Sequence, residues 1–159
     1  MSAKKKKTTT KKTGARAPKK TSAKGSKTDK VDAKLLDRLL EQAITVRENA
    51  YAPFSEYRVG AAIATKSGKI YAGCNVENSS YGATICAERG AVMQMIAAGD
   101  REPVAMSVVT SDGGSPCGIC RQVLAEFVED MPIVLANLED ESGHVVHLAD
   151  LLPLAFRLR

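Results

Sequence analysis

Three cysteines and a glutamate stand in a spacing that suits metal chemistry. They fall in two short runs, Cys86-Ala87-Glu88 and Pro116-Cys117-Gly118-Ile119-Cys120. A Cys-x-x-Cys pair lets two sulfurs reach one ion, because one helical turn carries the second back toward the first. Cys86 offers a third sulfur from a separate element. Thiolate is the form that binds Zn²⁺, and a helix N-terminus favours thiolate through its dipole and free N–H groups. Three protein ligands leave a tetrahedral ion one position for water, which separates a catalytic site from a closed structural one. Glu88 is then the discriminating residue, a carboxylate able to take a proton from that water and pass it on. Positions i and i+2 of a helix do not face each other, so Cys86 and Glu88 would converge on the water rather than touch. Three thiolates also leave the ion a formal charge of −1, which weakens it as a Lewis acid. Arg89 can withdraw some of that charge by donating to the sulfurs; its other reading is a surface arginine on a helix.

The elements that must position these groups alternate between helical and extended patterns. Leu35, Leu36, Leu39, Leu40, Ala43 and Ile44 recur at three and four, which predicts an amphipathic helix over 32–50 with Asp32 as N-cap. Residues 59–65 and 70–76 read as strands joined by the turn Lys66-Ser67-Gly68-Lys69. A helix over 84–98 closes at Gly99, a strand follows at 105–110, and a second helix covers 117–128. Two further strands at 133–137 and 144–148 are too close in sequence for a parallel crossover, so they should pair antiparallel. A short helix is expected near 149–152. The fold class expected is α/β, a three-layer sandwich with a mixed five-stranded sheet between helices. No G-x-G-x-x-G or P-loop pattern points to a dinucleotide or a nucleoside triphosphate.

The chain has 159 residues, 44% of them apolar, enough for one ordinary domain with a core. Its net charge of +5 is unevenly placed. Residues 1–30 hold eleven lysines and Arg16 against Asp29 alone, a net +11, while residues 31–159 carry a net −6. The first segment is mostly Lys, Thr, Ser, Ala and Gly and cannot bury enough apolar surface to offset its ordering entropy. A disordered lysine-rich tail over 1–30 and one folded domain over 31–159 are therefore expected. Such a tail is either a solvated extension or a weak, salt-sensitive contact for nucleic acid. Apolar runs are too short to cross a bilayer and charge stands where a signal peptide needs an apolar stretch, so no membrane role and a cytoplasmic location are expected. Four cysteines in that setting favour metal binding or reactivity over disulfides.

The two motifs, extended by Arg121-Gln122, resemble those of the small cytidine deaminases that use three cysteines and assemble as homotetramers. The likeness continues in Tyr51-Ala52-Pro53-Phe54-Ser55, Val59-Gly60-Ala61-Ala62, Gly73-Cys74-Asn75-Val76-Glu77-Asn78 and Leu151-Leu152-Pro153, and so covers roughly residues 35–156; a signature of this kind marks zinc deaminases generally. The resemblance implies that Cys86, Cys117 and Cys120 bind one zinc per subunit and that Glu88 shuttles protons. It implies that Asn75 and Glu77 hydrogen-bond the ribose hydroxyls and that the Ala87 N–H meets the pyrimidine carbonyl. Tyr57 and Phe156 match aromatic positions near the base, Phe156 from a neighbouring subunit, and Tyr81 sits where the family brings residues across the interface; simple packing is the other reading of all three. The reaction implied is hydrolysis of cytidine and deoxycytidine to uridine and deoxyuridine plus ammonia, a step of pyrimidine salvage.

Other readings compete. A blasticidin-type antibiotic deaminase shares the zinc motifs, though Asn75 and Glu77 are what a ribose needs. A zinc-stabilised nucleic-acid-binding module would need Cys74 as a fourth ligand or the tail as its contact, and Glu88 argues against it. Deamination of a polynucleotide meets an acidic domain that repels phosphates. His144 and His147 resemble a ligand pair, yet three residues apart on a strand they point to opposite faces. Met93 and Met95 read as core or interface packing.

Overall fold

A computed structural model describes residues 32–158. The lysine-rich tail expected over 1–30 lies outside the described residues. Helix α1 spans Ala33–Arg47, and the Asp32 carboxylate accepts from the Lys34 N–H at 3.2 Å as its N-cap. Strands β1 (Gly60–Thr65) and β2 (Ile70–Cys74) form the expected hairpin, turning at Gly68, whose φ of +85° suits a residue without Cβ. Helix α2 is Ala87–Ala97, β3 is Pro103–Thr110 and α3 is Gly118–Ala125. Strands β4 (Pro132–Asn137) and β5 (Ser142–His147) pair antiparallel, as their short connection requires, and α4 covers Leu148–Leu151.

The five strands lie in the order β2-β1-β3-β4-β5, and only the β3–β4 pair is parallel. Alternation of side chains across the sheet makes two cores. Ala61 pairs with Val108, Ile63 with Met106, and Met106 in turn with Ile133, so these residues share one face. They pack beneath Met95 of α2, Leu124 of α3 and Leu148 of α4. The opposite face offers Ala62, Ala64, Ala105 and Val109, which close over Leu39 and Ala43 of α1. Small residues there let α1 lie close. All six residues of β1 are buried, as befits a strand covered on both sides. The result is the three-layer sandwich with a mixed sheet that the pattern predicts.

Several boundaries differ from expectation by two or three residues, α1 ending at Arg47 rather than 50 and β2 at Cys74 rather than 76. The pattern places a helix from residue 84, but α2 begins at Ala87. Ile85 exchanges both backbone hydrogen bonds with Val76, at 3.0 and 2.9 Å, so its N–H and C=O are committed to an isolated bridge before a helix can start. Helix α3 ends at Ala125 rather than 128, although Phe127 and Val128 still pack on the core beyond its last turn. A one-turn 3₁₀ helix at Tyr81–Ala83 carries no apolar periodicity and was not expected from the sequence.

The register brings three strand ends to one edge of the sheet. Gly60, which opens β1, lies beside Cys74, which closes β2, and beside Val109 near the end of β3. Residues that follow β2 and β3, or precede β1, therefore meet, at the carboxyl end of the parallel pair where open α/β sheets place ligands. Among the described residues no helix is long and apolar enough to cross a membrane.

Candidate active site

Both thiol motifs cap helices at that edge. Cys86 is the N-cap of α2 and Cys117 the N-cap of α3, each extended in backbone conformation, and Cys120 sits one turn into α3. The start of α2 is held by close contact with β2. A Cβ on Gly73 would lie 2.4 Å from the Ala91 nitrogen and 2.7 Å from the Ala87 oxygen, so only glycine lets strand and helix touch backbone to backbone. Gly90 faces this contact from the helix.

Sulfurs of Cys86, Cys117 and Cys120 all lie within 4.8 Å of one another, with Cys86 to Cys117 at 3.9 Å and Cys117 to Cys120 at 3.6 Å. Zn–S bonds of about 2.3 Å in a tetrahedron put sulfurs about 3.8 Å apart, so the three residues fit a zinc ion. Cys74 is not among them, which removes the closed four-thiolate site. Charge supports the same fit. The Cys86 thiol is held well below the ordinary thiol range, first by hydrogen bonding from Cys120 and then by Arg89. Cys120 is pushed up in turn by its bond to Cys86 and by burial. Three sulfurs this close cannot all be thiolate unless a cation neutralises them. The Arg89 guanidinium reaches the Cys86 sulfur at 3.9 Å through Nη2, which also donates to the Thr84 carbonyl at 2.6 Å. That is the geometry of charge withdrawal rather than of a free surface arginine.

Beside the sulfurs lies a cavity of about 230 Å³ whose wall includes Cys86, Ala87, Glu88, Cys117, Asn75 and Glu77. Glu88 is only 4% exposed, and its carboxyl is raised from the usual range, chiefly by burial and further by the negative Cys86. Asn75 and Glu77 come from the segment after β2, which bridges Tyr51 on one side and Ile85 on the other. Extended backbone puts them on one side, with Val76 facing away. Asn75 is nearly buried; its Oδ1 accepts from the Val59 N–H at 2.9 Å and its Nδ2 donates to the Tyr57 carbonyl at 2.8 Å. Glu77 accepts from the Ser55 hydroxyl and from the N–H groups of Phe54 and Ser55, which hold its carboxyl below the usual range. Tyr57 also lines the cavity.

The other two aromatics do not reach it. Tyr81 is 80% exposed and meets Phe54 edge to face, ring centroids 6.4 Å apart, over an adjacent cavity. Phe156 is also exposed, its carbonyl accepting from Gln122 Nε2 at 2.8 Å. Sequence reasoning assigned no role to Ser55, Thr84, Thr110 or Ser115, all in the cavity wall. Ser55 closes a quoted motif and could have been found there; Thr110 and Ser115 flank what reads as an ordinary loop. His144 is exposed, while His147 Nδ1 lies 2.8 Å from Asp130, so the two histidines form no site. A larger cavity of about 420 Å³ between α1 and β2, lined in part by Arg38, Glu41 and Lys69, holds no thiol or imidazole.

A mixed α/β sandwich that brings three thiols from two helix N-termini to one point, with a buried carboxylic acid beside them, defines a zinc-site hydrolytic fold of the deaminase class. The family model described as "Cytidine and deoxycytidylate deaminase zinc-binding region" matches residues 33–136. The chain belongs to that family. It is 44% identical over 124 residues to a cytidine deaminase of Sporosarcina psychrophila, covering 76% of this chain and 90% of that protein. A cytidine deaminase of Halalkalibacterium halodurans is 44% identical over 121 residues, covering 74% and 91%. The crystal structure of cytidine deaminase from Burkholderia pseudomallei superposes with a TM-score of 0.71 at 46% identity, covering 76% of this chain and 98% of that one.

Proposed function

We propose that this chain catalyses the zinc-dependent hydrolytic deamination of cytidine and deoxycytidine, giving uridine or deoxyuridine and ammonia. The observation that carries the reading is Glu88, a buried carboxyl in the wall of the cavity that Cys86 and Cys117 also line. Cys86, Cys117 and Cys120 would hold the zinc ion, which when bound supplies the Lewis acidity that lets water act as a nucleophile near neutral pH. Glu88 takes a proton from the attacking water and delivers it to N3 of the cytosine, which makes C4 electrophilic. After attack at C4 the Glu88 carboxylate takes the remaining proton from the new C4 hydroxyl and delivers it to the departing amine as the C4–N bond breaks, so one residue serves as base and acid in turn. The Ala87 N–H, at the opening of α2, would donate to the pyrimidine carbonyl. Arg89 stays with the Cys86 sulfur and moderates its charge.

Asn75 and Glu77 both line the cavity from one side of the same extended segment, and a ribose with two hydroxyls suits that pair. A blasticidin-type antibiotic deaminase is not favoured. Among the described residues no lysine, arginine or histidine lines the cavity, while Glu77 and Glu88 do. A phosphate would meet negative charge there, which supports a free nucleoside rather than a nucleotide as substrate. Ammonia release from cytidine and deoxycytidine by the zinc-loaded protein, with deoxycytidylate and the Glu88→Ala variant run beside them, tests the reading. Release from both nucleosides that vanishes in the variant supports it; a zinc-containing, folded protein that releases none overturns it.

A homotetramer with shared sites draws support from the exposure of Tyr81, Met93, Ile119 and Phe156, apolar groups that a second copy would cover; a monomer by light scattering would remove it. A reducing, cytoplasmic setting suits free thiols at the metal site. The net +11 of residues 1–30 supports weak, salt-sensitive contact with nucleic acid. Unchanged RNA and DNA retention at low salt after deleting residues 1–28 would leave the tail a solvated extension.

A further inference from the structure

Tyr57 is held at both ends. Its N–H donates to the Ser55 hydroxyl at 3.1 Å and its carbonyl accepts from Asn75, which ties its backbone to the sugar end of the cavity. Its hydroxyl crosses to the loop between β3 and α3 and donates to Asp112 Oδ1 at 2.5 Å. The same oxygen accepts from the Thr110 hydroxyl at 3.1 Å and the Gly114 N–H at 3.2 Å, so Asp112 is fixed before the tyrosine arrives. A third observation is independent of these bonds. A Cβ on Gly114 would fall 2.6 Å from the Tyr57 hydroxyl oxygen, and glycine alone leaves the hydroxyl its seat. Gly114 is not in the left-handed region, so space rather than backbone conformation asks for glycine here. The loop that Asp112 organises runs directly into Cys117, the N-cap of α3.

We propose that Asp112 is a positioning residue that acts through Tyr57, fixing the aromatic wall of the cavity against the loop that carries Cys117 and so setting how tightly the nucleoside is gripped. Resting on the deaminase reading, this assigns Asp112 and Gly114 to substrate affinity, although Asp112 does not itself line the cavity. The carboxylate orients the ring by accepting from its hydroxyl, and Gly114 admits that hydroxyl. A phenylalanine at position 57 could fill the same wall but would have no anchor on the loop. The contribution belongs to binding in the ground and transition states alike, so it appears in KM and leaves kcat nearly unchanged.

The test is a double-mutant cycle read in cytidine turnover by the zinc-loaded enzyme. Asp112→Ala should raise KM about tenfold, the effect of one hydrogen bond, with kcat changed less than about threefold. Asp112→Asn keeps an acceptor for the hydroxyl and should return KM to within about threefold of the native value. In a Tyr57→Phe background Asp112→Ala should cost less than about twofold more, because its partner is already gone. Gly114→Ala gives a second route that leaves the carboxylate in place: its KM rise should likewise disappear in Tyr57→Phe. An Asp112→Ala effect of equal size with and without the tyrosine hydroxyl would make Asp112 a loop brace and overturn the proposal, as would an unchanged KM in an active variant. If Asp112→Ala does not fold, Gly114→Ala with and without Tyr57→Phe decides alone. A native enzyme inactive on cytidine would instead overturn the deaminase reading.

Discussion

At one end of the cavity Cys86, Cys117 and Cys120 crowd within 4.8 Å, and Glu88 is buried beside them with a raised pKa. At the other end Asn75 spends both ends of its amide on the backbone of residues 57 and 59, and Glu77 is surrounded by donors from Phe54 and Ser55. The first end is electrostatically unbalanced without a cation; the second is balanced by the protein itself. That contrast matches the two tasks. Chemistry uses groups whose protonation is poised to change, and recognition uses groups whose positions are already fixed. The thiol end sits on two helix N-termini, which bring dipoles and free N–H groups, whereas Asn75 and Glu77 sit on a segment bridged on both sides, which brings rigidity.

The contrast breaks most visibly at Glu88. Glu88→Ala should keep its zinc and its fold yet lose about 10²–10⁴-fold or more in kcat, read by ammonia release beside a metal assay. Removing zinc with a chelator should abolish turnover and lower Tm, and adding Zn²⁺ back should restore both, because three sulfurs this close cannot all be thiolate without a cation. At the opposite end Asn75→Ala should behave differently. It should raise KM and also cost about 1–3 kcal/mol of stability, since the Val59 N–H and Tyr57 carbonyl lose their partner. Denaturant melts beside kinetics separate the two effects, and a variant with full stability would show that the amide serves substrate alone.

The metal end was legible in the sequence because its logic is local. Cys86-Ala87-Glu88 and Cys117-x-x-Cys120 each lie within one turn of a helix start, where spacing alone places the side chains. The first hairpin and the antiparallel final pair were also legible, since short connections leave little choice of topology. The Tyr57–Asp112 contact was not, because it joins residues 55 apart whose own neighbourhoods read as a loop and a turn. The true start of α2 escaped for a related reason, as the bridge between Ile85 and Val76 is a tertiary commitment that no helical periodicity reports. Phe156 and Tyr81 do not line the cavity within one chain, and their expected place is across a subunit interface, which a single chain does not contain.

Away from the cavity, smaller effects calibrate the comparison. Asp100 accepts hydrogen bonds from Tyr71, Ser67 and Thr65 at the hairpin's turn end, and its carboxyl is lowered from its ordinary 3.8, first by Tyr71 and then by Ser67. A depressed carboxyl contributes stability that is present above its unfolded value and is lost as pH falls through its folded one. Urea midpoints should therefore show native protein above Asp100→Asn at pH 5, with the gap closing below pH 3.8 as the native carboxyl is protonated. Asp32→Ala should remove the N-cap of α1 and cost about 1 kcal/mol in a thermal melt with kcat and KM unchanged. A loss of activity there would mean that α1 communicates with the cavity across the sheet.

The backbone contact between Gly73 and the opening of α2 limits how this scaffold can be reshaped. Strand and helix already touch, so a larger base cannot be admitted by tilting α2 toward the sheet, and any side chain at 73 would push α2 outward and carry Cys86 and Glu88 with it. Room for a new substrate must come from the 51–59 segment, which leads into no ligand-bearing helix, because the 111–116 loop runs straight into Cys117. Whoever redesigns this pocket will find one wall adjustable and the other tied to the chemistry.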